Sequence, residues 1–412
     1  MVSTHSLSSP PVPPSSSPSS SPLLLLLLRP FATSAHVPTS PAGLDVASMM
    51  SRSRKAQASI EHYTQEQVDD LITAMVYAVA PTSTSEMIAR HTIDETRLGN
   101  YEGKLLKISR KTRCALMDII DDKSVGMIEE FPERNLVIFA KPVGVIGALS
   151  PSTNPEATPV IKAISAVKGR NSIIVAPHPR ASKTNKLIID LMRANIEKMG
   201  ADPDLVQAIE DPTMEHTKEL MKQCDRILAT GGGPMVLAAY SSGTPALGVG
   251  AGNAVVTVDG SADLDDAAEK IRISKTLDYA ASCSSDNAVI LLSEIYDEML
   301  AKLREKGGMV LDEEQKAKLQ ATIWTDGNLN AKAVAQSPAV IAEMAGFDIP
   351  EGTQFFIVPE TGWGPAHPFS GEKMTVTMAL YRAEVRDRGR ERGERGGRGR
   401  RRRRDWAGLP FL

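Results

Sequence analysis

From Val145 to Tyr240 short apolar runs alternate with amphipathic stretches marked off by glycine and proline, and this rhythm restricts the fold more than any other feature. A buried strand ends near Ser150. A helix over Thr158–Lys168 starts with Pro159 in its first turn and stops at Gly169. Strand Ser172–Ala176 precedes a helix over Lys183–Met199, and a short strand falls near Leu205. A helix over Thr213–Cys224 then leads to strand Arg226–Thr230, after which "GGGP" opens another helix. Parallel strands need crossovers, and crossover helices cover the faces of the sheet they connect. The expected class is therefore α/β, with a doubly wound parallel sheet.

Elements of other kinds flank this block. Val68, Leu71, Ile72, Met75, Val76 and Val79 share one helical face, opened by Thr64 and Gln67 as a capping box. "VGMIEEFPERNLVIFA" reads as two strands around a Pro-Glu-Arg-Asn turn. Near Thr244 a second α/β unit starts: strand Ala254–Asp259, helix Leu264–Tyr279, strand Asn287–Leu292, helices to about Ala345, and strands near Phe355–Pro359 and Thr375–Tyr381. The expected domains are 51–245, with a hairpin at 125–140, and 246–383. No internal repeat is visible.

The termini have a different texture. Residues 1–50 are rich in Ser and Pro, with no acid before Asp45 and a run of six leucines, Leu23 to Leu28. This reads as a leader of the organellar transit type, a mis-assigned start codon being the alternative. The expected location is the cytoplasm, or a mitochondrion or plastid if the leader is a transit peptide. The last segment, 384–412, is expected to be disordered. Arg386 to Asp405 holds eleven arginines against four acids, a net of +7, so the overall charge of −3 conceals −10 on the rest. No apolar run approaches the length of a membrane span. Three widely spaced cysteines, Cys114, Cys224 and Cys283, argue against a disulfide framework and a zinc site, and no metal is expected.

Single residues say little about chemistry. Cys283 lies in "LDYAASCSSDNAVI" between a helix and a strand, where a small core residue is the bland alternative to a reactive thiol. Asn154, in "SPSTNP" at the carboxyl end of a strand, could donate to an oxyanion or hold its own loop by an Asx turn. "TGGGP" (230–234) could bind a pyrophosphate at a helix N-terminus or merely make a tight turn. Glu372 in "FSGEKMTV" is, alone, a surface carboxylate. None of the glycine loops matches G-x-G-x-x-G.

Their order is informative. "ARHTIDETRLGN", "AKPVGVIGALSPSTNPEATPV", "GRNSIIVAPHPRAS", "ILATGGGPMV", "SSGTPALGVGAGNAVV", "ASCSSDNAVI" and "HPFSGEKMTVTMALYRA" together resemble the aldehyde dehydrogenase superfamily, within it the CoA-acylating branch. The segment around Cys283 is most similar to acylating sulfoacetaldehyde dehydrogenases. The other blocks are similar to the aldehyde dehydrogenase half of bifunctional aldehyde–alcohol dehydrogenases.

The resemblance implies a Rossmann-type NAD(P)-binding domain over 51–245, a catalytic domain over 246–383, and roles for single residues. Cys283 matches the nucleophile and Asn154 the oxyanion-hole amide. Ser150, Ser152 and Thr153 would lie along the nicotinamide cofactor, with Thr230, Gly231 and Gly232 near its pyrophosphate. His178 falls in the cofactor-binding segment "APHPRA", and Glu372 matches the carboxylate that holds the nicotinamide ribose. NAD is the implied cofactor, and NADP is left open by a missing ribose-binding carboxylate and by nearby Arg180. Coenzyme A would be the co-substrate and a small aldehyde the substrate, in a homo-oligomer built through the hairpin.

Three departures qualify this. Hydrolytic members carry a water-activating glutamate where this chain has Gly248, which implies transfer of the acyl group to a thiol rather than to water. The adenosine ribose site is the second, as noted. Third, the likeness stops at Ala383, so the catalytic domain and its oligomer contacts are expected to be incomplete. A frameshift or wrongly assigned exon would leave such a mark. The competing readings are an inactive chain of the same descent and an RNA-associated protein acting through the Arg/Gly tail, which lacks interleaved aromatics for stacking bases.

Overall fold

The computed structural model describes residues 45–384; residues 1–44 of the expected transit segment and 385–412 of the expected Arg/Gly tail lie outside them. The described residues open with helix Val46–Ser59, capped by the Asp45 side chain on the Ser48 amide. Val46, Met49, Met50, Ser53 and Ala56 are buried at helical spacing. The folded part therefore begins before residue 51, and the leader expected over 1–50 overlaps this helix. Helix Gln65–Tyr77 carries the expected capping box between Thr64 and Gln67.

The hairpin is present as β1 (Met127–Phe131) and β2 (Leu136–Phe139), antiparallel about a Pro132–Arg134 turn that Asn135 closes at φ 49°. Met127, Leu136, Val137, Ile138 and Phe139 are all exposed.

The first large sheet consists of β3 (Val145–Ser150), β4 (Ser172–Pro177), β5 (Val206–Ala208), β6 (Arg226–Thr230) and β7 (Ala246–Val249), in the order β5-β4-β3-β6-β7. Every pairing is parallel. β3 and β4 are buried along their whole length, as central strands covered on both faces must be. Burying each Val, Ile or Leu there contributes about 1.5–3 kcal/mol. Helix Thr158–Lys168 matches its expected bounds, with Pro159 in the first turn and Gly169 at the end. β7 extends this sheet past the expected boundary at 245: Ala246 pairs with Ile227 and Val249 with Thr230.

The second sheet consists of β8 (Ala254–Val258), β9 (Asp286–Leu292), β10 (Gly308–Val310), β13 (Phe355–Pro359) and β14 (Thr377–Ala383), in the order β10-β13-β14-β9-β8, again parallel. A two-stranded ribbon, β11 (Trp324–Thr325) and β12 (Asn328–Leu329), lies between the helices that precede β13. Helix Leu264–Thr276 ends three residues earlier than expected. Asp278, Tyr279 and Ala280 follow it with φ of 52°, 50° and 61°, a left-handed run that non-glycine residues adopt at a cost of roughly 1–3 kcal/mol each. Among the described residues no helix is long and apolar enough to cross a membrane.

Candidate active site

Ligands of such sheets collect at the carboxyl ends of the strands, and most candidates lie there. Ser150 ends β3; its hydroxyl is buried and has no hydrogen-bond partner. Ser152, Thr153 and Asn154 follow in a half-buried loop. Thr230 ends β6, and Gly231 and Gly232 lead into helix Gly233–Tyr240, whose first turn no side chain caps. A Cβ on Gly233 would meet nothing within 4 Å, and one on Gly232 only Pro234 at 3.9 Å. His178, after β4, is exposed and has its own local partner: Nδ1 accepts the Arg180 amide at 3.1 Å. Burial, and then the Arg180 charge, hold its ring below ordinary basicity, consistent with an accepting Nδ1.

Asn154 makes no Asx turn. Its Nδ2 donates to the Ala281 carbonyl at 2.9 Å and to Thr153 Oγ1 at 3.2 Å, while its Oδ1 accepts from Lys107 Nζ at 2.7 Å. One side chain thus ties the β3 loop to the segment two residues before Cys283. Cys283 is exposed, between buried Ala281 and Ser282 on one side and buried Ser285 on the other. The packing alternative describes Cys224 instead, which is buried against Gly147 and whose thiol burial pushes up to about 11.

The left-handed run before Cys283 is held by Asp278. Its Oδ1 accepts the Asn100 amide at 2.9 Å, and its Oδ2 lies 2.9 Å from Lys104 Nζ and 2.5 Å from Lys107 Nζ. Side chains at Gly99 and Gly103 would occupy the same space: a Cβ on Gly103 would fall 2.5 Å from Asp278 Cβ. Burial drives Lys104 toward the neutral form, but Glu156 and Asp278 more than offset it and raise its pKa. Lys107 is lowered, by burial first and then by the Lys104 charge. The sequence reading did not single out Lys104, Lys107, Glu156 or Asp278. The available signal was two lysines three apart in an otherwise apolar turn, "GKLLKI".

Glu372 is half-buried rather than a free surface carboxylate. Its Oε2 accepts the Gly252 amide at 3.2 Å, beside Asn253, whose Nδ2 donates to the Ser370 carbonyl. Burial raises its pKa, opposed by that amide and by the charges of Lys275 and Lys373. Lys373 holds the loop by donating to the Asn287, Phe369 and Gly371 carbonyls. Glu372, Ser370 and Trp324 also line a cavity of about 790 Å³. Neither Cys283 nor Asn154 lines it, so it adjoins the carboxylate rather than those two residues.

Gly248 sits within β7, where a Cβ would lie 2.7 Å from Val236 Cγ1 and 2.9 Å from Tyr240 Cε2. The Tyr240 hydroxyl accepts the Gly248 amide at 3.0 Å.

A profile of the aldehyde dehydrogenase family matches residues 32–310. An acylating sulfoacetaldehyde dehydrogenase of Bilophila wadsworthia is 42% identical over 346 residues, which cover 82% of this chain and 74% of that one. The chain belongs to the aldehyde dehydrogenase family. An acetylating aldehyde dehydrogenase of Geobacillus thermoglucosidasius superposes with a TM-score of 0.78 at 39% identity, covering 82% of this chain and 75% of that one. A propionaldehyde dehydrogenase of Rhodopseudomonas palustris, solved with bound propionyl-CoA, does so with a TM-score of 0.72 at 26% identity, covering 84% and 79%.

A dinucleotide fits what the described residues offer this aldehyde dehydrogenase. The orphaned Ser150 hydroxyl, the open glycine turn after Thr230 and the uncapped helix start at Gly233 lie on one sheet edge. Among the described residues no group of three His, Cys, Asp or Glu is placed to hold a metal.

Proposed function

We propose that this aldehyde dehydrogenase oxidises a small aldehyde to its acyl-CoA, with Cys283 carrying the acyl group and NAD or NADP as cofactor. The Cys283 thiolate adds to the aldehyde carbon, forming a C–S bond and placing the carbonyl electron pair on oxygen. Asn154 Nδ2, with the hydrogen it releases from Thr153 Oγ1, and the Cys283 amide donate to that oxyanion. The cofactor, when bound, supplies the hydride acceptor. Ser150, Ser152, Thr153 and His178 would line its path, Thr230, Gly231 and Gly232 would hold its pyrophosphate, and Glu372 would hold its ribose. Loss of hydride from the tetrahedral carbon leaves a thioester on Cys283. The thiol of coenzyme A then gives up its proton and displaces Cys283 sulfur, so that acyl-CoA departs and the thiolate returns.

The observation that carries this reading is Gly248. The position that would activate water carries no carboxylate, and a Cβ there would press on Val236 and the Tyr240 ring. A thioester beside unactivated water persists until a thiol reaches it. Support also comes from relatives whose names call them acylating or acetylating. Acetaldehyde, succinate semialdehyde and sulfoacetaldehyde are the candidate substrates. In steady state, NADH formation should depend on coenzyme A and yield acyl-CoA. Free acid formed at the same rate without coenzyme A would refute the assignment.

The exposed apolar side chains of β1 and β2 support a homo-oligomer, since such a surface on a hairpin is a template for association.

A further inference from the structure

Lys104 and Lys107 lie one turn apart, where helix Tyr101–Leu106 runs into a π-turn over Lys107–Lys111. They meet Glu156 and Asp278, and all four side chains are no more than 2% exposed. Lys104 Nζ lies 3.6 Å from Glu156 and Lys107 Nζ 4.0 Å from it. The Glu156 oxygens accept no hydrogen bond, so this carboxylate balances charge rather than fixing geometry. Apolar residues of the same volume would join these segments without desolvating four charges. The cluster therefore calls for a reason beyond packing.

Its contacts supply one. Lys107 Nζ donates to Asn154 Oδ1 and Lys104 Nζ donates to the Thr153 carbonyl, both at 2.7 Å. With an ammonium on one side and the Ala281 carbonyl on the other, the amide has a single satisfied orientation, oxygen toward Lys107 and nitrogen toward the Cys283 loop. A cation on the amide oxygen also draws density from the N–H groups and makes them stronger donors. Asp278 holds the same ammonium and begins the left-handed run leading to Cys283. Amide and nucleophile loop are thereby set by one group of charges.

We propose that Lys107, anchored by Asp278 and balanced by Lys104 and Glu156, is a positioning residue that orients and polarises the Asn154 amide toward the oxyanion formed at Cys283. This rests on the reading of Asn154 and Cys283 given above. The test is a double-mutant cycle on the full chain. It follows single-turnover formation of the Cys283 acyl-enzyme, with whichever of acetaldehyde, succinate semialdehyde and sulfoacetaldehyde the wild type turns over fastest. Asn154→Ala and Lys107→Met should each slow acylation by about 10²-fold, the usual cost of one oxyanion donor, with NAD affinity unchanged. The double variant should be no slower than Asn154→Ala alone. Lys107→Gln, which keeps an N–H without the charge, should fall between wild type and Lys107→Met, and it replaces Lys107→Met in the cycle if that variant does not fold. Losses that multiply, or Lys107 variants at the wild-type rate beside a slow Asn154→Ala, would overturn the positioning role alone. Asn154→Ala at full rate would overturn the reading of Asn154 itself.

Discussion

Asn154 donates from Nδ2 to the carbonyl of Ala281 at 2.9 Å, which places an amide from the first sheet on the loop that displays Cys283. Removing that amide leaves backbone and thiol in place but takes away the donor proposed for the oxyanion. Asn154→Ala should therefore lower kcat by about 10²-fold or more, with little change in NAD affinity. Steady-state kinetics beside a cofactor titration measures both.

Gly248 is a natural target for converting the enzyme to a hydrolase, and the structure predicts failure. Glutamate at 248 would drive its Cβ into Val236 and the Tyr240 ring. Tyr240 is exposed and can turn aside, but Val236 must shift, and overpacking costs up to about 1–3 kcal/mol. Gly248→Glu should show a lower melting temperature by calorimetry and no gain in free-acid production. A stable variant that hydrolyses the thioester would contradict the packing argument.

Glu372 should give cofactor binding an acid limb. Burial raises its pKa above the ordinary 4.5, so the carboxylate is charged above that raised value and protonated below it. In its proposed role the charged form is the better acceptor for the ribose hydroxyls, so NADH affinity should fall as pH drops through a point above 4.5. Glu372→Gln should bind more weakly and lose this dependence. Fluorescence titration of NADH across pH reads the effect, and a wild-type affinity that is flat down to pH 4.5 would contradict it.

The hairpin should make the protein oligomeric. Each large apolar side chain buried in an interface contributes about 1.5–3 kcal/mol, so Phe139→Asp should weaken association by at least about tenfold. Light scattering over a concentration series would show the shift in mass. A monomeric wild type, or no shift in the variant, would contradict it.

The first sheet was legible because β3 and β4 are continuous apolar runs bounded by Gly and Pro, and helix Thr158–Lys168 carries proline and glycine at its ends. β7 was not, because two of its four residues are exposed and one is glycine, leaving no strand period to detect. The early end of helix Leu264–Thr276 left no mark either, since Asp278, Tyr279 and Ala280 take left-handed backbone without glycine. In the site, the order of the motifs singled out Asn154, Cys283 and Glu372, while each residue alone favoured a bland role. The charges behind Asn154 were hidden for a different reason. Lys107 and Asp278 are 171 residues apart, and only the fold reveals that they meet.

Mass spectrometry of the full chain, incubated with aldehyde and NAD but no coenzyme A, tests the central claim most directly. The account predicts a stable acyl adduct on the peptide containing Cys283, discharged as acyl-CoA when coenzyme A is added and absent from Cys283→Ser. NADH formation that persists in Cys283→Ser, or turnover of the wild type with no adduct on that peptide, would contradict it.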